Sequence, residues 1–484
     1  MLTFIEIALI YKKCNEKIDL MAIWIPDLSS RDGPKYLQIV EALAEDIAAG
    51  KLSTGTRLPP HRELAYQLDI SPNTTSRAYA EAVKRALLKG EMGRGTFVRS
   101  AEGNPLSGEP ETLSRAMSGP IDLSRNLPIP GFSEPHIRRV MGEIANGTGL
   151  SALLDYQTDA DLTHHREAGK MWLGFCGLDT SPDCIVPTMG GQHGILCILM
   201  ALLQPGDLLL TEALTYTPVL AMAERLSLQT GAVAMDVQGV VPEAFEAWCF
   251  EANPKAFYLT PTLQAPTTVT LSTARRNQIA KIANRYGVIL IEDDVFGPLK
   301  DNKPAPIAQT APDNTIYVTS LSKAVAPGLR VGFLSAPKRF VAALHQSVNL
   351  SVWMTPPMTL EVASRLITDG TAFKLTNQQR RVAKHRQKLV QLSLGSETVA
   401  KIAEGYHAWI ALPDGWRADV FCAECASLGV RVSEGRSFAM NASDAPEAIR
   451  ICVSHEASED RLQRGLEIVA GVFQQKPSGS SLAI

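Results

Sequence analysis

Along residues 36–49 the apolar side chains Ile39, Val40, Leu43 and Ile47 return every three or four positions among polar ones, and Gly50 follows. That spacing predicts a helix with one buried stripe, stopped by the glycine. Leu58-Pro59-Pro60-His61-Arg62-Glu63-Leu64-Ala65 places prolines where a helix can begin but not continue, so a second, short helix is predicted to about Leu68. Ser71-Pro72 opens a third. The serine hydroxyl can accept from the first orphan amides, Pro72 loses nothing at the first helical position, and the helix is predicted to run to about Leu88, before Gly90. Gly93-Arg94-Gly95-Thr96-Phe97-Val98 then reads as a glycine turn entering a β-branched and aromatic strand. Three helices and a wing result.

From Ser100 to Pro120 the periodicity disappears among Gly103, Pro105, Ser107, Gly108 and Pro110, the composition of a linker. Beyond Ile121, short apolar runs alternate with helical patterns: Leu208-Leu209-Leu210, Ala256-Phe257-Tyr258-Leu259, Val288-Ile289-Leu290-Ile291 and Ile316-Tyr317-Val318. Runs apolar on both faces and separated by helices predict a mostly parallel sheet covered on both sides, an α/β body. The expected organisation is a winged helix-turn-helix domain over 22–100, a linker over 101–120, the α/β domain over 121–475 and a flexible tail over 476–484. Residues 1–21 stand outside this scheme as a possible extension.

Charge changes the picture little. Lys+Arg 47 against Asp+Glu 50 excludes a wholly basic nucleic-acid coat, yet residues 22–100 hold 11 Lys+Arg against 9 Asp+Glu, a small basic excess within a slightly acidic chain. Eight scattered cysteines read as reduced thiols of a cytosolic protein. The one CxxC, Cys422 and Cys425, has no second pair and no nearby His, so packing is expected there and no metal site. No apolar run reaches the roughly 18 residues that span a bilayer, and Phe4 to Tyr11 lacks the basic lead-in of a secretory signal. A cytoplasmic location is expected.

A helix beside a glycine-turned wing suits B-DNA, whose major groove admits one helix while an Arg on a loop enters the minor groove. Asn73, Thr74, Thr75 and Ser76 lie in the first turns of the third helix, within reach of base edges, and Arg77, Lys84 and Arg85 suit phosphates. Over residues 34–99, through Gly55 to Ala65, Ser71 to Tyr79 and Gly93 to Val98, the sequence resembles the GntR family of regulators. The resemblance implies that Arg62, Ser71, Asn73, Thr74 and the wing around Arg94 and Gly95 contact DNA. Pro72 stands where many members carry Arg, so the operator does not transfer. Relatives tend to begin near Met21-Ala22-Ile23-Trp24, which makes Met21 rather than Met1 the expected initiator.

In the body, candidate chemistry falls at strand ends. Lys323, after the Ile316 to Val318 strand, offers an amine for a Schiff base. Asp293, at the end of a buried strand, offers a carboxylate to a ring nitrogen, with Asp294 as the competing choice. Gly190-Gly191-Gln192-His193 opens a helix whose free amides can hold a phosphate, with Ser320 and Arg330 as further donors. Tyr216 is placed to stack on a ring. Together with Ser320-Leu321-Ser322-Lys323 and Ala326-Pro327-Gly328-Leu329-Arg330, these residues resemble fold-type I aminotransferases, and specifically the MocR subfamily, in which a GntR-type domain precedes an aminotransferase-like domain. The resemblance implies pyridoxal 5'-phosphate as cofactor, Lys323 as its aldimine lysine, Asp293 as ring-nitrogen partner, Tyr216 as stacker, and Gly191, Gln192, Ser320 and Arg330 as phosphate binders. Tyr156 resembles the tyrosine that reaches the phosphate of the neighbouring subunit, and Arg450 the arginine that grips a substrate carboxylate.

Two departures matter. Phe296 stands where many relatives place a Tyr that donates to the ring oxygen of the cofactor, and Gln264-Ala265-Pro266-Thr267-Thr268 lacks the Asn-Pro and Gly common in aminotransferases. Losing both donors raises the imine pKa and weakens the tuning of catalysis, while binding survives. The expectation is therefore a homodimeric, DNA-binding regulator that senses an amine or amino acid by external aldimine formation. The competing expectation is an amino-acid aminotransferase with an accessory DNA-binding module, and a weaker third is a body that has lost the cofactor and serves only dimerisation.

Overall fold

The computed structural model describes residues 24–28, 33–48, 51–52, 56–85, 87–91, 95–98, 119–158, 160–396, 398–399 and 403–475. The chain divides into two compact units, residues 1–119 and 120–484. The expected extension over 1–21, the tail over 476–484, most of the linker and Arg94 lie outside the described residues.

In the first unit α1 (Lys35–Ala48), α2 (His61–Gln67) and α3 (Pro72–Lys84) precede a hairpin of β1 (Leu88–Glu91) and β2 (Gly95–Val98). The stripe foreseen on α1 is buried: Ile39, Val40 and Leu43 close on Leu64, Ala78, Ala82, Leu88 and Val98. Ser71 caps α3, its hydroxyl accepting the Asn73 amide at 3.2 Å, with Pro72 at the first helical position. The helix stops at Lys84, short of the expected Leu88. Leu88 pairs with Val98 across the hairpin and is buried under α1, so the wing takes the residue that helical continuation would have used. A four-residue strand has too few side chains to show alternation, and β1 was therefore not legible.

The second unit opens with β3 (Ile121–Asp122), and is built on a seven-stranded sheet. Its strands are β4 (Ile185–Thr188), β5 (Leu208–Glu212), β6 (Gln229–Val233), β7 (Ala256–Leu259), β8 (Ile289–Asp293), β9 (Thr315–Ser320) and β10 (Gly332–Ser335), in the spatial order β4-β10-β9-β8-β7-β5-β6. Strands β9, β8, β7, β5 and β6 run parallel, and β10 alone is antiparallel to both its neighbours. Two hydrophobic clusters, around Ile198, Tyr258 and Ile316 on one side and Phe257, Ile279 and Leu290 on another, cover the faces, which is why β7 and the first three residues of β8 are apolar. A smaller lobe gathers β11 (His407–Ala411), β12 (Val430–Arg431), β13 (Ser433–Glu434) and β14 (Ala448–Cys452) with the helix Glu459–Phe473. Its core contains Ile121 and Leu123, because β3 pairs parallel to β12. Among the described residues, no helix is long and apolar enough to cross a membrane.

A candidate cofactor pocket and a candidate DNA-reading helix

The carboxyl ends of the parallel strands are where ligands of open α/β sheets bind. There the structure brings Lys323, Asp293, Tyr216 and Arg450 around one cavity of about 250 Å³, together with Gly191, Gln192, Ser320 and Arg330. Asp293 ends β8, and the alternation of the strand sends it and Asp294 to opposite sides. Asp293 reaches the cavity, accepting from the Tyr258 hydroxyl at 2.7 Å and the Val295 amide at 3.2 Å. Asp294 turns into the opposite side, where Tyr317 and Lys303 donate to it. Burial pushes the Asp293 carboxyl up to about 6, against the pull of the Tyr258 hydrogen bond.

Burial likewise pushes the Lys323 amine down to about 8, a value at which a useful fraction is neutral and able to attack an aldehyde. Its Nζ donates to the Asn126 carbonyl at 2.6 Å and lies 5.3 Å from the centre of the Phe296 ring. Phe296 and Ala265 are both buried against the cavity and neither carries a donor, so the two departures seen in the sequence fall at the site itself.

The phosphate end is formed by the helix α4 (Gly191–Leu202), entered through Gly190 at φ +82°. A Cβ on Gly190 would lie 3.1 Å from a guanidinium nitrogen of Arg330, and one on Gly332 would fall 2.8 Å from the Gly190 backbone. These glycines let Arg330, which donates to the Met189 carbonyl at 3.1 Å, lie flat against the turn. A helix N-terminus, a forked cation and the Ser320 side chain therefore converge on one spot, the donor set that a phosphate requires. The Tyr216 hydroxyl donates to Gln192 Oε1 at 3.2 Å, which holds its ring at the same mouth. A phosphate cradle, a buried carboxylate, an aromatic plate and a desolvated amine fit pyridoxal phosphate, and the site takes that cofactor.

Arg450, on β14, donates to the Ser124 carbonyl at 2.7 Å and lies 4.5 Å over the Phe438 ring. Tyr156 is not among the residues lining this cavity; it is 71% exposed, with its ring 5.7 Å from that of Trp353. Sequence reading missed Tyr258 and Asn126. A tyrosine in the buried run Ala256–Leu259 needs a partner for its hydroxyl, and that requirement was the available signal. Nothing local marks Asn126, whose role comes from a fold contact nearly 200 positions away. Cys422 and Cys425 lie in the helix Ala418–Ser427, and burial pushes both thiols up to about 12, which fits packing.

In the first unit Arg62, Ser71, Asn73 and Ser76 are exposed and Thr74 is half-buried. Thr75 corrects the expectation of base contact: it is buried, its hydroxyl donating to the His61 carbonyl at 2.7 Å and the Pro72 carbonyl at 3.0 Å, so it joins α2 to α3. Arg77 stacks on Tyr36 at 3.9 Å and Arg85 pairs with Glu81 at 3.0 Å, so two of the three expected phosphate contacts already have intramolecular partners, while the Lys84 side chain lies outside what is described. Gly95 begins β2, the return strand of the wing.

Comparison with known proteins agrees with both units. The family profile of aminotransferase class I and II matches residues 143–469, and that of the bacterial regulatory proteins of the gntR family matches residues 35–98. The HTH-type transcriptional regulator YdeF of Bacillus subtilis is 28% identical over 92% of this chain and 96% of its own length. The vitamin B6 salvage pathway transcriptional repressor PtsJ of Salmonella typhimurium is 26% identical over 85% of this chain and 93% of its own. Among solved structures, the Pyrococcus horikoshii kynurenine aminotransferase superposes with a TM-score of 0.68 at 26% identity, covering 78% of this chain and 95% of that one. The chain belongs to the aminotransferase class I and II family and carries a GntR-type helix-turn-helix domain ahead of it, the two-part architecture of the MocR regulators.

Proposed function

We propose that this protein is a cytoplasmic transcriptional regulator whose α/β domain, over 121–475, uses bound pyridoxal phosphate to sense an amine or amino acid, and whose N-terminal domain, over 22–100, binds operator DNA. The observation that carries the reading is the pairing, in one chain, of a helix-turn-helix domain bearing a β hairpin with a cofactor pocket that keeps Lys323, Asp293 and Arg330 but has Phe296 and Ala265 where ring-oxygen donors belong. Bound there, pyridoxal phosphate supplies an aldehyde with which amines condense reversibly. Lys323 supplies the resident amine, Asp293 keeps the ring nitrogen cationic, Tyr216 covers the ring, and Gly191, Gln192, Ser320 and Arg330 hold the phosphate. Arg450 takes a carboxylate where the effector has one. Arg62, Ser71, Asn73, Thr74 and the wing at Arg94 and Gly95 face DNA, with α3 in the major groove and the wing in the minor groove.

The working form is a homodimer, whose two-fold symmetry also supplies paired half-sites. Support for it comes from the exposed aromatic pair Tyr156 and Trp353 and from Leu350, 72% exposed on the same stretch, an apolar surface of the kind that partners cover. Tyr156 reaches the phosphate bound by the other subunit. Gel-shift assays on the upstream region of its own gene, with and without pyridoxal phosphate, test the reading. Retardation that depends on cofactor and changes with an amino acid supports it. Rapid transamination with no DNA binding instead supports the aminotransferase reading, which the intact Lys323, Asp293 and Arg450 set favours.

A further inference from the structure

The segment that connects the two units does not end at the surface of the α/β domain. Immediately after Pro120 it forms β3 against β12, with Leu123 donating its amide to the Arg431 carbonyl and accepting from the Cys452 amide at 2.7 Å. It then crosses the cofactor cavity. The Ser124 carbonyl accepts from Arg450 at 2.7 Å, and two residues on the Asn126 carbonyl accepts from Lys323 at 2.6 Å. The Asn126 side chain donates to His407 Nδ1 at 2.9 Å, so His407 carries its proton on Nε2 and donates to the Gln264 carbonyl at 3.2 Å. At its far end the segment is clamped by Gln379, which bonds both the amide and the carbonyl of Ile129.

Ile121 and Leu123 belong to the core of the smaller lobe, whereas Lys323 follows β9 of the large sheet. The Asn126 to Lys323 hydrogen bond therefore ties the lobes across the cavity. Both groups that the strap engages are the groups a ligand needs. We propose that residues 121–127 form a ligand-operated strap: the Ser124 carbonyl occupies Arg450 in place of an effector carboxylate, and an amino acid entering the site displaces it, loosening the segment through which the DNA-binding unit is attached. This rests on the sensing reading above and specifies its regulation. It commits to an effector bearing a carboxylate, because an amine without one leaves the Ser124 to Arg450 contact intact. Reciprocity requires that DNA binding change the affinity for that effector by the same factor.

The test uses the full-length, cofactor-loaded protein. Hydrogen exchange of the peptide covering 121–128 is followed beside the visible absorption band, after addition of a mixture of the common L-amino acids or of ethylamine. The expected result is a band change with both and roughly tenfold faster exchange of the strap with the amino acids alone, the scale set by losing one charge-assisted hydrogen bond. Arg450→Met is then assayed with no ligand. It is expected to speed strap exchange and to shift operator affinity to the value of the amino-acid-bound wild type, and Arg450→Lys, which keeps a donor, restores both. A residue that only grips carboxylates would leave the unliganded protein unaltered. If the amino acids change the band while strap exchange stays at its ligand-free rate, the strap is overturned and sensing stands. An unresponsive band defeats sensing itself, and the strap with it.

Discussion

Tyr258→Phe isolates one hydrogen bond at the centre of the site. The substitution keeps the ring in the wholly buried β7 and removes only the hydroxyl that donates to Asp293 at 2.7 Å. A hydrogen bond to a charged group contributes about 1.5–3 kcal/mol, which corresponds to roughly one to two units in the carboxyl pKa. With Asp293 already held near 6 by burial, the variant places it at about 7–8. At neutral pH the carboxyl then passes from mostly ionised to half or less. Pyridoxamine phosphate is the suitable probe, because it cannot condense with Lys323 and reports the grip of Asp293 on a cationic ring nitrogen. The variant is expected to bind it roughly two- to tenfold more weakly at pH 7, with the ratio of the two affinities returning toward one above pH 9. Titrating the ligand phosphate affects both proteins alike and drops out of that ratio. An affinity ratio that is constant with pH would show that Tyr258 acts only by packing and would refute the electrostatic argument.

Lys323→Ala is expected to abolish the visible band of the bound cofactor while leaving a folded protein, read by absorption and circular dichroism. Thr75→Val removes the hydroxyl that bonds the His61 and Pro72 carbonyls and is expected to lower the stability of the DNA-binding unit by about 1–3 kcal/mol, whereas Asn73→Ala is expected to weaken operator binding with little change in melting temperature. Cofactor-free Asp293→Asn is expected to gain stability relative to the wild type as pH rises from about 4 to 7, while the buried His165 and His407, pushed down to about 4 and about 3, act in the opposite direction and equally in both proteins. Burial raises Asp293 to about 6 and Glu212 and Glu292 to about 7, so each favours the native state below its unfolded pKa and withdraws that contribution as pH rises through the folded one. A stability difference between the two proteins that stays constant over that range, in denaturant titrations, would overturn the assignment of Asp293 as a carboxyl destabilised by burial.

What was legible in the sequence was what short-range pattern encodes. The α1 stripe, the Ser71-Pro72 start, the apolar parallel strands and the glycine entry to α4 each depend on neighbours within a few positions. Lys323, Asp293, Arg330 and Arg450 are candidates that motif spacing and strand ends point to, and the structure brings them to one cavity. Thr75 was misread because its hydroxyl partner, His61, belongs to the preceding helix, and exposure on a helix is decided by the angle of packing. Asn126 and Ser124 were invisible, since they act through carbonyls that every residue possesses.

The pairing of buried acids sets this cavity apart from the rest of the sheet as the place suited to a cation. Glu292 is matched by Arg276 at 3.4 Å and by the amides of Ile307 and Ala308, and Asp294 by Lys303. Glu212 takes the amide and hydroxyl of Thr260, and burial pushes it up to about 7, which leaves it only about half ionised at pH 7. Asp293 is left with a phenol and one amide, and among the described residues no Arg or Lys forms an ion pair with it. A buried carboxylate supplied with donors but not with a cation is costly to ionise until a positive group arrives. Under the proposed function a protonated pyridine nitrogen is that group, which would make cofactor binding and Asp293 ionisation one linked event, with the Tyr258 hydroxyl setting the pH at which it occurs.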